Sequence, residues 1–266
     1  MQRLQCSPSR PTIVCMYDNE LQVAIKAARK AGEIILAGYT VENKLDIKEN
    51  KSQVTEVDKN SEAEIIKILE SESTHKILAE ETRKELENET TYWAVDPLDG
   101  TTNFIRRIPL LGVSIALIHE GNPVVGVMFN PITNDFFVAA QGQGATLNEQ
   151  KIHCSTESSV VFATSGYGED QKRKIAQFVV ASSQFTSRKL GTTAFELSCL
   201  AKGAGDGFVA WGDELWDHAA GIILVREAGG KVTDWEGNDW RHPSNHVIAS
   251  NGIMHDQLLG IVKTLS

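Results

Sequence analysis

Apolar residues recur at Leu21, Ala24, Ile25, Ala28, Ala31 and Ile35, the spacing of one helix face. Ile65, Ile68 and Leu69 mark a second helix. From Leu111 to Asn148 the pattern changes to short β-prone runs. These are broken at Glu120-Gly-Asn-Pro123, at Asn130–Asp135 and at Gly142-Gln-Gly144, which predicts a β-meander. The second half alternates: a strand over Val160–Thr164, a helix near 169–182 and another from Thr193 to Ala201. A further helix carries Trp216, Ala219, Ala220, Ile223, Leu224 and Ala228 as one buried stripe and ends at Gly229-Gly230. Val247–Ser250 reads as a late strand. Residues 1–17 have no period and hold Ser7, Pro8, Ser9 and Pro11, so they read as an appended, poorly ordered arm, with Met16 a candidate start. Residues 42–53 are polar and charged and read as a mobile loop beside the site.

Candidate chemistry sits where apolar runs end in acids. Tyr92-Trp93-Ala94-Val95 reads as a strand, so Asp96 is expected at its C-terminal end, where α/β sheets place ligand sites. Pro97 keeps Asp96 extended, and Asp99 can point back at the same spot. Gly100 and Thr101 then offer backbone N–H groups suited to phosphate. Carboxylates beside phosphate donors suggest a Mg²⁺-assisted phosphate site. The same residues also fit an ordinary turn. Three further acidic clusters behave alike. Glu80-Glu81 follows Lys76–Ala79, which reads as a short strand, and would otherwise be a solvated turn. Asp217 lies in the first turn of the Trp216 helix, where a carboxylate cap is the plain alternative. Val54–Asp58 reads as strand-like and ends in Asp58, which could simply cap the next helix.

Together these segments carry a family resemblance. Trp93-Ala-Val-Asp-Pro-Leu-Asp-Gly-Thr-Thr-Asn-Phe104 resembles the first motif of the inositol monophosphatase family, and Trp216-Asp-His-Ala-Ala-Gly-Ile-Ile-Leu-Val-Arg-Glu-Ala-Gly-Gly230 resembles its second. Glu80-Glu81 and Thr55–Asp58 sit where that family has its other acids. The resemblance runs from about Asp18 to the C-terminus. It implies an α/β fold, a layered αβαβα sandwich, as one domain over 18–266 with subdomains near 18–150 and 151–266. It also implies a Mg²⁺-dependent, lithium-sensitive phosphomonoesterase with two or three ions per site, Mn²⁺ being a possible substitute. Carried over, Glu80, Asp96 and the Leu98 carbonyl hold one ion, and Asp96, Asp99 and Asp217 hold a second. Glu80 also touches a third, more hydrated ion. Asp58 and Thr101 orient the attacking water, with Glu81 supporting, and the Gly100 and Thr101 N–H groups bind phosphate. Gly191, Thr192 and Thr193 touch the alcohol. The implied partner is a small phosphorylated metabolite, with inositol monophosphate first, and the implied assembly is a homodimer.

Substrate choice is less legible. Inositol-specific relatives carry a Glu six residues before the second-motif Trp; here that position is Ala210, with Trp211, Asp213 and Glu214 as nearby replacements. Histidinol phosphate, fructose bisphosphate and 3′-phosphoadenosine nucleotides are the alternatives within the superfamily. A non-catalytic regulatory protein with the same fold is the alternative of a different class. His218 reads as a packed helix residue rather than a ligand.

Composition bounds the rest. A net charge of −9 over 266 residues supplies no basic surface for nucleic acid. No apolar run is long enough to cross a membrane, and there is no signal-peptide core. Cys6, Cys15, Cys154 and Cys199 have no metal-like spacing, so free thiols in a cytoplasmic protein are expected.

Overall fold

The computed structural model describes residues 16–40, 45–47, 53–82, 86 and 89–265. The first half runs α1 (Asp18–Tyr39), β1 (Leu45–Ile47), β2 (Gln53–Thr55), α2 (Glu56–Glu72), β3 (Lys76–Ala79), β4 (Thr91–Asp99), α3 (Thr101–Ile105), β5 (Gly112–His119), β6 (Asn122–Asn130), β7 (Asp135–Ala140), β8 (Gly144–Leu147) and β9 (Gln150–Lys151). The second half runs β10 (Val160–Ser165), α4 (Glu169–Ala181), β11 (Thr186–Arg188), α5 (Thr193–Ala201), β12 (Gly207–Trp211), α6 (Leu215–Glu227), β13 (Lys231–Thr233), β14 (His246–Ser250) and α7 (His255–Lys263).

Five layers result. A sheet ordered β3-β4-β5-β6-β7-β8-β9 is antiparallel except where β3 pairs with β4. A second sheet is ordered β11-β10-β12-β14-β13. Strand alternation divides the core between them. Trp93, Val95, Ile115, Leu117, Val125 and Val127 face α1 and α2 in one cluster. Tyr92, Ala94, Ala116 and Ile118 face the opposite way, toward α5 and α6. Phe208 and Ala210 of β12 reach the same inner layer, whereas Val209 and Trp211 face α4 and α7. The layers are therefore α1/α2, first sheet, α5/α6, second sheet, α4/α7. Among the described residues no helix is long and apolar enough to cross a membrane.

Several expectations are corrected. Val54–Asp58 is not one strand: β2 stops at Thr55, whose side chain accepts from the Val57 N–H, and Asp58 lies in the first turn of α2. The 42–53 segment is not all loop, because β1 and β2 form an antiparallel ribbon; residues 41–44 and 48–52 lie outside the described residues. The arm over 1–15, with Cys6 and Cys15, also lies outside them, while Cys154 and Cys199 are free. β4 does not end at Asp96 but runs to Asp99 through a bulge between the two acids. Finally, α6 has no single buried stripe. Leu215, Trp216, His218 and every residue from Ala219 to Val225 are buried, because a central-layer helix has a sheet on both sides. Its end matches expectation: the Gly230 N–H reaches the Val225 carbonyl at 2.9 Å and Gly229 takes φ +87°.

The contact of α6 with β6 depends on Gly126. A Cβ there would stand 2.3 Å from Ile223 Cγ2 and 2.8 Å from the Ala220 carbonyl oxygen. Gly126→Ala should therefore cost about 1–3 kcal/mol. Gly260, inside α7 with no atom within 4 Å of its would-be Cβ, should respond oppositely, with Gly260→Ala adding roughly 0.5–1 kcal/mol. Thermal melts of the two variants should shift in opposite directions; a shared direction would contradict the packing described.

Candidate active site

The acids converge through backbone geometry. β3 pairs in parallel with β4 so that Ala79 faces Val95, and the Glu80 N–H donates to the Val95 carbonyl at 3.1 Å. Glu80 thus emerges beside Asp96. Asp96 Oδ1 accepts the Leu98 N–H at 2.9 Å, which closes the bulge. Across the ladder, Asp96 faces Ser114, whose hydroxyl donates to the Trp216 carbonyl at 2.9 Å and holds the first turn of α6 against the strand. That turn carries Asp217, whose Oδ2 accepts the Glu214 N–H at 2.9 Å. Asp99 Oδ2 accepts the Thr192 hydroxyl at 2.6 Å and the Ala194 N–H at 2.7 Å, both from the start of α5.

Asp58 is buried behind Thr101. Its Oδ2 accepts the Thr55 N–H at 2.8 Å and the Thr55 hydroxyl at 2.6 Å, and its Oδ1 accepts the Thr101 hydroxyl at 2.8 Å. Thr101 also reaches the Leu98 carbonyl at 3.2 Å. Gly100, at φ +92°, turns the chain into α3, whose first N–H groups have no intrahelical acceptor.

Glu80, Asp96, Asp99 and Asp217 line one cavity of about 750 Å³, together with Gly100, Thr101 and the Gly191–Thr193 segment. Thr193 donates to Asp213 Oδ2 at 2.7 Å. Asn103 donates to the Leu110 and Leu190 carbonyls at 2.7 and 2.8 Å and ties the turn after β4 to the loop before α5. Asp213 and Glu214 reach the cavity as expected. Trp211 does not: strand alternation sends it to the other face, where it packs with Trp235 and His246. Glu81 does not line the cavity either; its N–H donates to Glu62 Oε2 at 2.7 Å. His218 is buried edge-on to Trp240, with centroids 5.1 Å apart, as a packed residue.

The electrostatics follow from crowding. Burial pushes Asp96 well above the usual carboxylate range, and Glu80, Asp99 and Asp217 add to the shift. Burial raises Asp217 likewise, with Asp213, Asp99 and Glu80 contributing. Asp99 rises to about 7, again chiefly by burial, against the opposing pull of its two donors. Among the described residues no three His, Cys, Asp or Glu side chains already stand as a ready-made metal cage. A buried, mutually repelling, oxygen-only set is nevertheless what a hard divalent cation neutralises, and the residues present fit Mg²⁺ on that chemistry.

Sequence reading missed Glu62, Ser114 and the wall formed by Tyr167, Gln171, Lys172 and Lys189. Glu62 had a signal: it lies four residues after Asp58 on the apolar stripe that continues through Ile65 and Leu69. The others had none, being ordinary polar residues far from any motif.

Comparison with known proteins identifies the family and the fold. The profile described as the inositol monophosphatase family matches residues 16–266. The chain is similar to the protein called Nus factor SuhB in Pasteurella multocida, 36% identical over 241 residues, covering 86% of this chain and 90% of that one. Its structure is similar to that of the extragenic suppressor protein suhB from Bartonella henselae, with TM-score 0.84 and 32% identity, covering 92% of this chain and 98% of that one. It is also similar to the Thermotoga maritima IMPase, with TM-score 0.82 and 32% identity over 92% of this chain and 97% of that one.

Glu196 offers a test of the site's electrostatics away from the proposed metal ligands. It is fully buried in α5, and its Oε1 accepts the N–H groups of Leu190 and Gly191, the latter at 3.2 Å, while Oε2 has no partner among the described residues. Burial raises it from 4.5 to about 8. Between those values the folded protein keeps a proton that the unfolded chain releases, so this group's contribution to stability falls as pH rises through that window. Glu196→Gln keeps the acceptor without the charge. The variant should match the wild type near pH 5 and exceed it increasingly up to pH 9, by on the order of 4 kcal/mol at most. A stability difference that does not change with pH, measured by denaturant titration, would show that Glu196 does not titrate there.

Proposed function

The chain belongs to the inositol monophosphatase family, and on that premise we propose that it is a Mg²⁺-dependent phosphomonoesterase acting on a small phosphorylated metabolite, inositol monophosphate first among them. The observation that carries this reading is the Thr101–Asp58 hydrogen bond of 2.8 Å beside four carboxylates that line one cavity. A binding module would have no use for a buried acid coupled to a hydroxyl at the metal site.

Glu80, Asp96 and the Leu98 carbonyl would hold one ion; Asp96, Asp99 and Asp217 a second; Glu80 a third, more hydrated one. Bound there, the ions would neutralise the phosphate, acidify a water and stabilise the leaving alkoxide. The chain's own residues do the rest. Thr101, its proton committed to Asp58, turns a lone pair toward the attacking water and orients it. Burial raises Asp58, so it is suited to take up a proton relayed through Thr101. The Gly100 and Thr101 N–H groups hold phosphate oxygens, and Gly191–Thr193 meet the alcohol. Ala210 supplies no carboxylate to that alcohol, but Asp213 and Glu214 line the cavity and can accept from polyol hydroxyls.

A second reading, a regulatory protein that keeps the fold, is favoured by the name Nus factor carried by relatives. Phosphate release from a panel of phosphomonoesters in Mg²⁺ separates the two. Asp96→Asn should lower turnover by at least about a hundredfold while the protein stays folded. Thr101→Ala should lower kcat on the order of a hundredfold at nearly unchanged Mg²⁺ affinity. In the same assay Li⁺, against matched Na⁺, should inhibit more at high substrate. Release from no ester in the panel, or full turnover in Asp96→Asn, would leave the regulatory reading standing.

A further inference from the structure

We infer that Tyr167 is a substrate-contacting residue whose hydroxyl donates a hydrogen bond to the phosphoryl group. The substrate side of this inference rests on the phosphatase reading; the anion side does not. Tyr167 lies in the loop from β10 to α4, supplied by the second sheet, yet it lines the same cavity as Glu80, Asp96, Asp99 and Asp217. The residue is 55% exposed and belongs to none of the buried core clusters. All four of those carboxylates lie near enough to act on its hydroxyl electrostatically. That hydroxyl has no hydrogen-bond partner among the described residues. A donor without a protein partner in the wall of an acidic cavity has one natural acceptor once cations neutralise the acids, an oxygen of the anion those cations hold.

The loop that carries Tyr167 is tethered at both sides of it. The Gly166 N–H donates to the Trp211 carbonyl at 3.2 Å, and the Gly168 N–H donates to Gln171 Oε1 at 2.6 Å. Gln171 Nε2 in turn donates to the Gly212 carbonyl at 3.3 Å. The loop is thereby fastened to the segment that leads into Asp213 and Asp217. The approach is close: a Cβ at Gly166 would stand 2.7 Å from the Gly212 carbonyl oxygen. A donor fixed in advance loses little entropy when the anion arrives. Burial and the neighbouring carboxylates push the phenol upward, so it stays protonated and acts as a donor, not as a nucleophile.

Tyr167→Phe removes the hydroxyl and nothing else. In Mg²⁺, inorganic phosphate titrated calorimetrically should bind the variant about tenfold more weakly than wild type, and kcat/KM should fall by a similar factor. Mg²⁺ affinity should not change, and the melting temperature should move by no more than about 1 °C. Gln171→Ala, which frees the loop, should weaken phosphate binding too, and Tyr167→Phe added to it should cost less than it does alone. Phosphate binding in Tyr167→Phe equal to wild type would overturn the inference. A wild type that binds phosphate but hydrolyses no ester would end the phosphatase reading and leave the titration to decide Tyr167. A wild type that binds no phosphate in Mg²⁺ would overturn both.

Discussion

Like charges buried together are the constraint on which this molecule depends. Asp96, Asp99 and Asp217 sit inside the protein with Glu80 beside them, and burial and mutual repulsion raise the three aspartates. The fold answers with helix starts. Asp58 lies in the first turn of α2, Asp217 in that of α6, and Asp99 accepts from the first turn of α5. Each position combines free N–H groups with the positive end of a helix dipole, the place where a carboxylate is cheapest to hold. Several chain segments must therefore end or begin at one point, and the layer order serves that convergence.

The inner layer does the joining. α5 and α6 are packed by both sheets, so their first turns stand in register with strand ends from either half. Single polar contacts refine the fit. Ser114 seats the Trp216 carbonyl, Asn103 bridges to Leu190, and Thr192 binds Asp99 across 93 residues of sequence. The Ser114 and Thr192 bonds are buried and the Asn103 bond partly so, and an unmade partner there is costly, so they fix positions that apolar packing alone would leave loose. The cavity wall follows the same logic: Gln171 fastens the Tyr167 loop to the segment that precedes Asp217.

The amino-acid sequence by itself determined the helix faces, the meander, the layered fold through its motifs, and the acids Glu80, Asp96, Asp99 and Asp217. Those are readable because each depends on residues close in the chain: a period, a turn, an acid placed after an apolar run. Even there the local reading left Asp58 open between a strand end and a helix cap, and the structure decides for the cap, since Thr55 starts the helix before it. The tertiary structure alone decided that α6 is buried on every side, since a hydrophobic stripe does not reveal whether a second sheet will cover the back. It alone turned Trp211 away, because the alternation of β12 has a meaning only once the faces of its sheet are known. It alone made Ser114, Gln171 and Tyr167 part of the site. Each is an ordinary polar residue in sequence, and each gains its role from a neighbour that the chain brings near only after the two sheets have closed on the inner layer.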